Sequence, residues 1–176
     1  ESSICYNAHT ISQTGRDENR ISWPLFFRAF GEYKNPTLIY ILAGLFRATG
    51  PGIAVARSLT AGLGVLSGLL LGWLAWKMTK RWVTAAVVTI ATLFTPWLFE
   101  SSRLVFEVAT YPALVGLFLL VVWRVSFRSR WTWREVVALA LTLGLLTYSY
   151  SIGRLLAPLL ALGLGFFINR VRWRGV

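Results

Sequence analysis

Histidine and cysteine are almost missing from this chain: His9 and Cys5 stand alone among 176 residues. One cysteine gives no disulfide framework within the chain, and one histidine excludes a multi-histidine metal site built from this segment alone. Acidic residues are scarce too, 7 against 18 Lys and Arg, for a net charge of +11. Charged residues of both signs make up only 14%, while 56% are hydrophobic. That balance lies outside the usual soluble range. No long repeat, low-complexity tract or interdomain linker is present. An initiator methionine and a signal peptide are also absent: the chain opens at Glu1 in polar sequence and closes at Arg174-Gly-Val just after an apolar run. The expectation is therefore a fragment, with residues missing at both ends.

What the chain does have is length in its apolar runs. Five are free of charge: Ser58–Trp76, Trp82–Phe99, Val108–Trp123, Val136–Gly153 and Leu155–Asn169. Each is apolar all round, as a helix needs when lipid or protein covers every side, so each reads as a membrane span. The third and fifth fall short of the ~17–25 residues a span requires; flanking residues such as Leu104–Val105 or Ser149–Ile152 are the expected extensions. Thr37–Phe46 is too short to cross alone and reads as a helix lying at the interface or leading into the next span. Gly64-Val-Leu-Ser-Gly68 and Gly68-Leu-Leu-Leu-Gly72 match the small-xxx-small pattern of closely packed helices, read here as packing only. The predicted fold class is all-α: a polytopic transmembrane bundle of about five full spans, residues 37–176. Residues 1–36 form an extracytoplasmic loop with juxtamembrane helices.

A strongly basic chain raises the question of nucleic acid, but the distribution argues against it. Lys77, Lys80 and Arg81, then Arg124, Arg128, Arg130 and Arg134, then Arg170, Arg172 and Arg174 follow the first, third and fifth runs. All three groups then fall on one side, which the positive-inside rule makes cytoplasmic. Trp76, Trp82, Trp123, Trp131, Trp133 and Trp173 flank those boundaries as an aromatic belt. The expected topology puts 1–52, 100–107 and the turn at 149–154 outside, and 77–81, 124–134 and 170–174 inside. Six of the acidic residues (Glu1, Asp17, Glu18, Glu32, Glu100 and Glu107) then lie outside, and only Glu135 inside. Acidic residues do little to set orientation, so this second asymmetry points to a functional outer surface.

Within the outer loop, Ser2 and Ser3 are candidate caps for a short helix ended by Gly15. Asp17-Glu18 reads as a solvated turn, and Trp23-Pro-Leu-Phe-Phe as a loop lying on the membrane. Pro36 suits the first turn of a helix, and Gly50-Pro51-Gly52 breaks the chain before the first run. Four places offer chemistry: Glu1; Gly31-Glu-Tyr-Lys-Asn-Pro36 with Lys34; Ser102-Arg-Leu-Val-Phe-Glu107; and Tyr148-Ser-Tyr-Ser-Ile-Gly-Arg154. Carboxylates and cations gathered at one interface suit an anionic, lipid-linked substrate. Each also has a plain reading. Arg103 and Glu107 are spaced as an ordinary i,i+4 pair, and Lys34 as a cation snorkelling to headgroups. Tyr148 and Tyr150 fit an aromatic belt, and Arg154 a contact to a phospholipid phosphate. His9 reads as structural.

The combination, in order, carries a resemblance: Glu1-Ser-Ser-Ile-Cys-Tyr-Asn-Ala, Thr14-Gly-Arg-Asp, Pro24-Leu-Phe-Phe-Arg-Ala-Phe-Gly-Glu-Tyr-Lys-Asn-Pro36, Ser102–Glu107 and Tyr148–Arg154. It resembles the N-terminal part of bacterial membrane glycosyltransferases related to the dolichyl-phosphate-mannose protein mannosyltransferases (family thirty-nine, GT-C superfamily). The resemblance spans nearly the whole chain. It implies an acidic pair in the first outer loop, one carboxylate of which deprotonates the acceptor hydroxyl that displaces polyprenyl phosphate with inversion. Glu1 matches the second member of that pair, and Glu107 a later acid with Arg103 before it. Lys34 matches a lysine near the lipid phosphate, with Tyr33 beside it; Arg154, after Tyr150, matches a basic residue at an outer turn. Many relatives read Tyr-Lys-Pro-Pro where Asn35 stands here, and often carry Asp at the position of Glu107.

The expected function is transfer of a sugar from a polyprenyl-phosphate donor to an acceptor hydroxyl on the outer face of a prokaryotic cytoplasmic membrane. Glu1 and Glu107 are the catalytic candidates; Lys34, Tyr33, Arg103, Tyr150 and Arg154 are the substrate-binding ones. Membrane lipids are the implied surroundings, the sugar and acceptor stay open, and a divalent metal is the one cofactor left open. The rival classes are a transporter or lipid flippase and a non-catalytic scaffold of the same fold. Against transport, no charge falls in the middle of any of the five runs.

Overall fold

Local sequence sets the first element. Ser2–Thr14 forms helix α1, which stops where Gly15 turns left-handed (φ 69°) and donates its amide to the Ile11 carbonyl. Glycine takes that conformation without steric cost. The N-cap position belongs to Glu1, not to Ser2 or Ser3, and no side chain caps it. In this computed structural model residues 1–29, 31–128 and 131–172 are described, with backbone alone for 166–172. Arg130, Trp173 and Arg174, and the side chains of Arg170 and Arg172, lie outside the described residues.

Between α1 and the next helix the chain makes a short antiparallel hairpin, β1 (Phe27–Ala29) against β2 (Glu32–Lys34), with Arg28 opposite Tyr33. The all-α expectation is corrected there: the chain is mostly helical, with one small hairpin. Helix α2 (Pro36–Thr49) starts with Pro36 in its first turn, where a missing N–H costs nothing. One face of it packs into the protein. Leu38, Ile39, Leu42, Ala43 and Phe46 are buried against Ile4, Ala8 and Ile11 of α1, Phe27 of β1 and Val105. Asp17 is likewise no solvated turn: its buried carboxylate accepts from the Asn19 and Ile21 amides at 2.9 and 2.7 Å.

After the Gly50–Gly52 break, α3 (Ile53–Thr79) runs 27 residues, about 40 Å of helix. Helix α4 (Trp82–Phe94) returns along it, with Thr89 Oγ1 donating to the Gly68 carbonyl at 3.3 Å. A side chain on Gly68 would meet Leu93, and one on Gly72 would meet the Ala85 carbonyl. The glycine spacing thus works as a packing seam. The second apolar run is not one straight span. Thr95 is extended before Pro96, as a residue preceding proline prefers, and α5 (Pro96–Arg103) leaves α4 at 61°.

Leu104–Phe106 is extended, not helical. The chain then re-enters helix through a 3-10 turn, Glu107–Thr110, and α6 (Tyr111–Ser126). Val105, ahead of α6, shares a core cluster with Ala56 near the start of α3, and Gly116 packs on Leu70 and Leu71 further along, so these two helices run in the same direction. Helix α7 (Trp133–Ser149) comes back, opened by a capping box of Thr132 and Glu135, and α8 (Gly153–Arg172) follows a short turn. Phe118, Val125, Leu139, Leu146 and Ala157 bury the core of these three helices.

The count of five spans is corrected by these boundaries. Among the described residues two helical stretches are long and apolar enough to cross a membrane, Ile53–Thr79 and Glu107–Ser126, or three if the bent pair α4–α5 counts as one. Helix α7 has 17 residues, and the described apolar part of α8 is Gly153–Gly165. The expected extensions fail for a local reason: Leu104–Val105 is extended and Tyr150–Ile152 is turn.

Candidate functional site

The two ends of the bundle differ in charge. The N-terminal ends of α3 and α6 share one end with α1 and the hairpin, while Lys77 and Arg124 sit near the opposite helix ends. At the first end a cavity of about 610 Å³ is lined by Glu1, Tyr33, Lys34, Glu107 and Tyr150, with Glu32 at its side. These are five of the seven residues picked out from sequence, drawn from the loop start, the hairpin, the 3-10 turn and the α7–α8 turn.

Glu1 is held on two sides. Arg57 of α3 donates from Nε and Nη2 to the two carboxylate oxygens at 3.3 and 3.0 Å, and the Val105 amide donates at 2.9 Å. The Arg57 hydrogen bond first, and the Val105 amide second, hold the Glu1 carboxyl below its ordinary range against the opposing effect of burial. Both oxygens are engaged, which makes Glu1 a weak proton acceptor and a firm anchor.

Glu107 is nearly buried and accepts from Nδ2 of Asn35, 72 positions earlier. Asn35 is fully buried, and its Oδ1 accepts from Nη2 of Arg154 at 3.1 Å. One amide therefore links a carboxylate to a guanidinium, each through the atom of the right polarity. Among the described residues no side chain or amide donates to the other Glu107 oxygen. Arg154 does not line the cavity itself; its guanidinium lies over the Phe26 ring at 4.6 Å.

Lys34 extends from the end of β2 and bonds Glu32 Oε2 at 2.8 Å. That bond raises the Lys34 ammonium above its usual value, so it stays charged, and the nearby Glu107 adds to the effect. Tyr33 is exposed on the hairpin, and Tyr150 meets the Tyr111 ring edge-on. Tyr148 points instead to Phe26, its carbonyl accepting from Thr37 at 2.8 Å. The turn that carries Tyr150 and Arg154 depends on Gly153, since any side chain there would run into the Leu146 carbonyl.

Arg103 is not part of this cavity. It closes α5 with its guanidinium 5.4 Å from the Phe99 ring and lines a separate apolar groove of about 300 Å³ between α3 and the bent α4–α5 pair. The i,i+4 pairing with Glu107 does not form, because Leu104–Phe106 is extended and helical spacing does not carry across it. Sequence reasoning missed Arg57 and Asn35. The signal for Arg57 was a charge next to the first apolar run; for Asn35 it was a polar amide where the resembling motif has proline.

No family model, curated protein or solved structure matches this chain. Among the described residues no group of three or more His, Cys, Asp or Glu could hold a metal ion.

Proposed function

We propose that the chain is part of a multi-pass membrane glycosyltransferase that moves a sugar from a polyprenyl-phosphate donor to an acceptor hydroxyl, with inversion. The observation that carries the reading is the cavity itself: Glu1, Lys34 and Glu107, far apart in sequence, line one space at one end of apolar helices. The resemblance of the segments around Pro36, Glu107 and Arg154 is its second support. In this reaction the acceptor oxygen bonds to the anomeric carbon as the bond to the phosphate oxygen breaks, and polyprenyl phosphate leaves with the electron pair. Lys34, with Arg154 behind Asn35, offsets the negative charge that grows on the departing phosphate. Glu107 takes the hydroxyl proton, because its carboxylate has an oxygen to spare and Glu1 has none. Tyr33 and Tyr150 supply the aromatic walls a sugar ring stacks on. The membrane sits so that this end faces outside and the end with Lys77, Lys80, Arg81, Arg124 and Arg128, where acids are scarce, faces the cytoplasm.

The test uses the full-length protein in native membranes with a panel of short-chain polyprenyl-phosphate sugars, following release of polyprenyl phosphate. Glu107→Gln should lower turnover by ~10²–10⁴-fold, the usual worth of general base catalysis. Unchanged turnover in that variant, or no release from any donor by the parent protein, overturns the proposal.

A further inference from the structure

At the opposite end of the molecule, residues of α6 and α7 border a second cavity of about 610 Å³ that the proposed reaction does not use. Exposed Arg124, Arg128, Thr132, Trp133 and Arg134 line it together with half-buried Val121 and Ala138 and buried Glu135. Three guanidiniums face one carboxylate. Glu135 is already committed twice: its Oε2 accepts from the Thr132 amide at 2.9 Å, and its Oε1 lies 3.5 Å from Arg128 Nε. That leaves Arg124 and Arg134 exposed, with no acidic partner among the described residues. The Arg134 guanidinium lies 5.9 Å from the Trp133 ring, and Trp133 is itself 71% exposed. Phe127 is exposed beside them.

An arginine cluster that shares one cavity with the Trp133 ring and half-buried apolar side chains suits a ligand that carries both a phosphate and hydrocarbon. Guanidinium forks match phosphate oxygens two at a time. Basic pockets between helices at the cytoplasmic side suit anionic lipid headgroups. We propose that this cavity binds the phosphate of an anionic phospholipid, held by Arg124 and Arg134 with Arg128 poised on Glu135, its acyl chains lying along Val121 and Ala138. The site rests on the membrane placement proposed above but not on the glycosyl transfer. Basic residues elsewhere at this end, such as Arg81, lie outside the cavity.

The test takes the full-length protein into nanodiscs of phosphatidylcholine containing a small fraction of phosphatidylglycerol and counts retained phosphatidylglycerol by native mass spectrometry. Alkaline extraction of the source membranes first establishes insertion, so a failure of the membrane reading is seen separately from a failure of the site. The parent protein should keep about one phosphatidylglycerol in preference to phosphatidylcholine. The variant R124A/R134A should bind it roughly tenfold more weakly, while R81A behaves as the parent. Inorganic phosphate added to lipid-free detergent samples separates the sources: binding of the lipid with no protection by phosphate assigns the site to the headgroup with its chains. Equal protection by phosphate alone overturns the lipid assignment, and so does an equal loss in R81A, which reports bulk surface charge. Unchanged retention in R124A/R134A overturns the site altogether.

Discussion

Arg57 holds the Glu1 carboxylate by both of its oxygens across 56 positions of sequence, and so pins the start of α1 to the second turn of α3. Arg57 and the Val105 amide favour the ionised form, so the Glu1 carboxyl titrates below its ordinary 4.5 in the folded protein. A depressed folded value contributes stability that is complete above about pH 4.5 and is lost as the pH falls through the lower, folded value. Glu1→Gln should therefore melt below the parent at pH 7, with the gap closing under acid. Melting curves in detergent across pH 3–7 check this; a gap of equal size at both ends of the range would mean that the contact is not ionic.

The bridge through Asn35 makes a sharper stability prediction. Asn35→Leu strips the nearly buried Glu107 carboxylate of its hydrogen-bond donor, and the exposed Arg154 guanidinium of its acceptor. A buried group stripped of its hydrogen bond costs about 1–3 kcal/mol. Thermal or denaturant unfolding of the variant should show a loss of that order, and a neutral result would mean that solvent reaches the Glu107 carboxylate.

Lys34 and Arg154 approach the cavity by different routes, one as a point charge at its edge and the other through Asn35. Under the proposed reaction each alanine variant should lower turnover by roughly 10²–10³-fold, the scale seen when one charge-stabilising donor is removed. Lys34→Arg should not be neutral, since a planar fork replaces a compact ammonium. Full transfer activity in the double alanine variant would leave both as ordinary headgroup contacts.

Glycines in α3 separate by position. Gly72→Ala pushes a methyl against the Ala85 carbonyl, whereas Gly62→Ala meets nothing within 4 Å. The first should destabilise by about 1–3 kcal/mol through overpacking; the second should stabilise by ~0.5–1 kcal/mol, the helix preference of alanine over glycine. Paired melting temperatures decide it, and equal shifts would contradict the close approach of α4.

Orientation is open to labelling in a Cys5→Ser background. Cysteine at Ser151 should react with an impermeant thiol reagent from outside, and cysteine at Arg81 only after the membrane is breached. Reaction of the Arg81 cysteine from outside would reverse the topology.

Much of the helical content was legible because apolar length and local breakers are properties of the chain itself. Gly15, Pro36 and the Gly50–Gly52 break each fall where the backbone turns. The same kind of signal, Thr95 before Pro96, breaks the second run; taking the uncharged stretch whole hid it and inflated the span count. The hairpin was illegible from Phe27-Arg-Ala and Glu32-Tyr-Lys because such short strands carry no periodicity; only the partner strand makes them strands.

Sequence by itself determined the apolar class, the near-absence of acidic residues from the basic segments after the first, third and fifth apolar runs, and the list of residues able to do chemistry, since charge and hydropathy are written residue by residue. The tertiary structure decided which of those residues meet. It sent Arg103 to an apolar groove through the extended Leu104–Phe106 link. It also gave Glu1 to Arg57, and made Asn35 the link between Glu107 and Arg154. Such pairings span from 56 to 119 positions, and no local rule reaches that far: a buried amide or carboxylate takes whichever partner the packed helices bring within hydrogen-bonding distance.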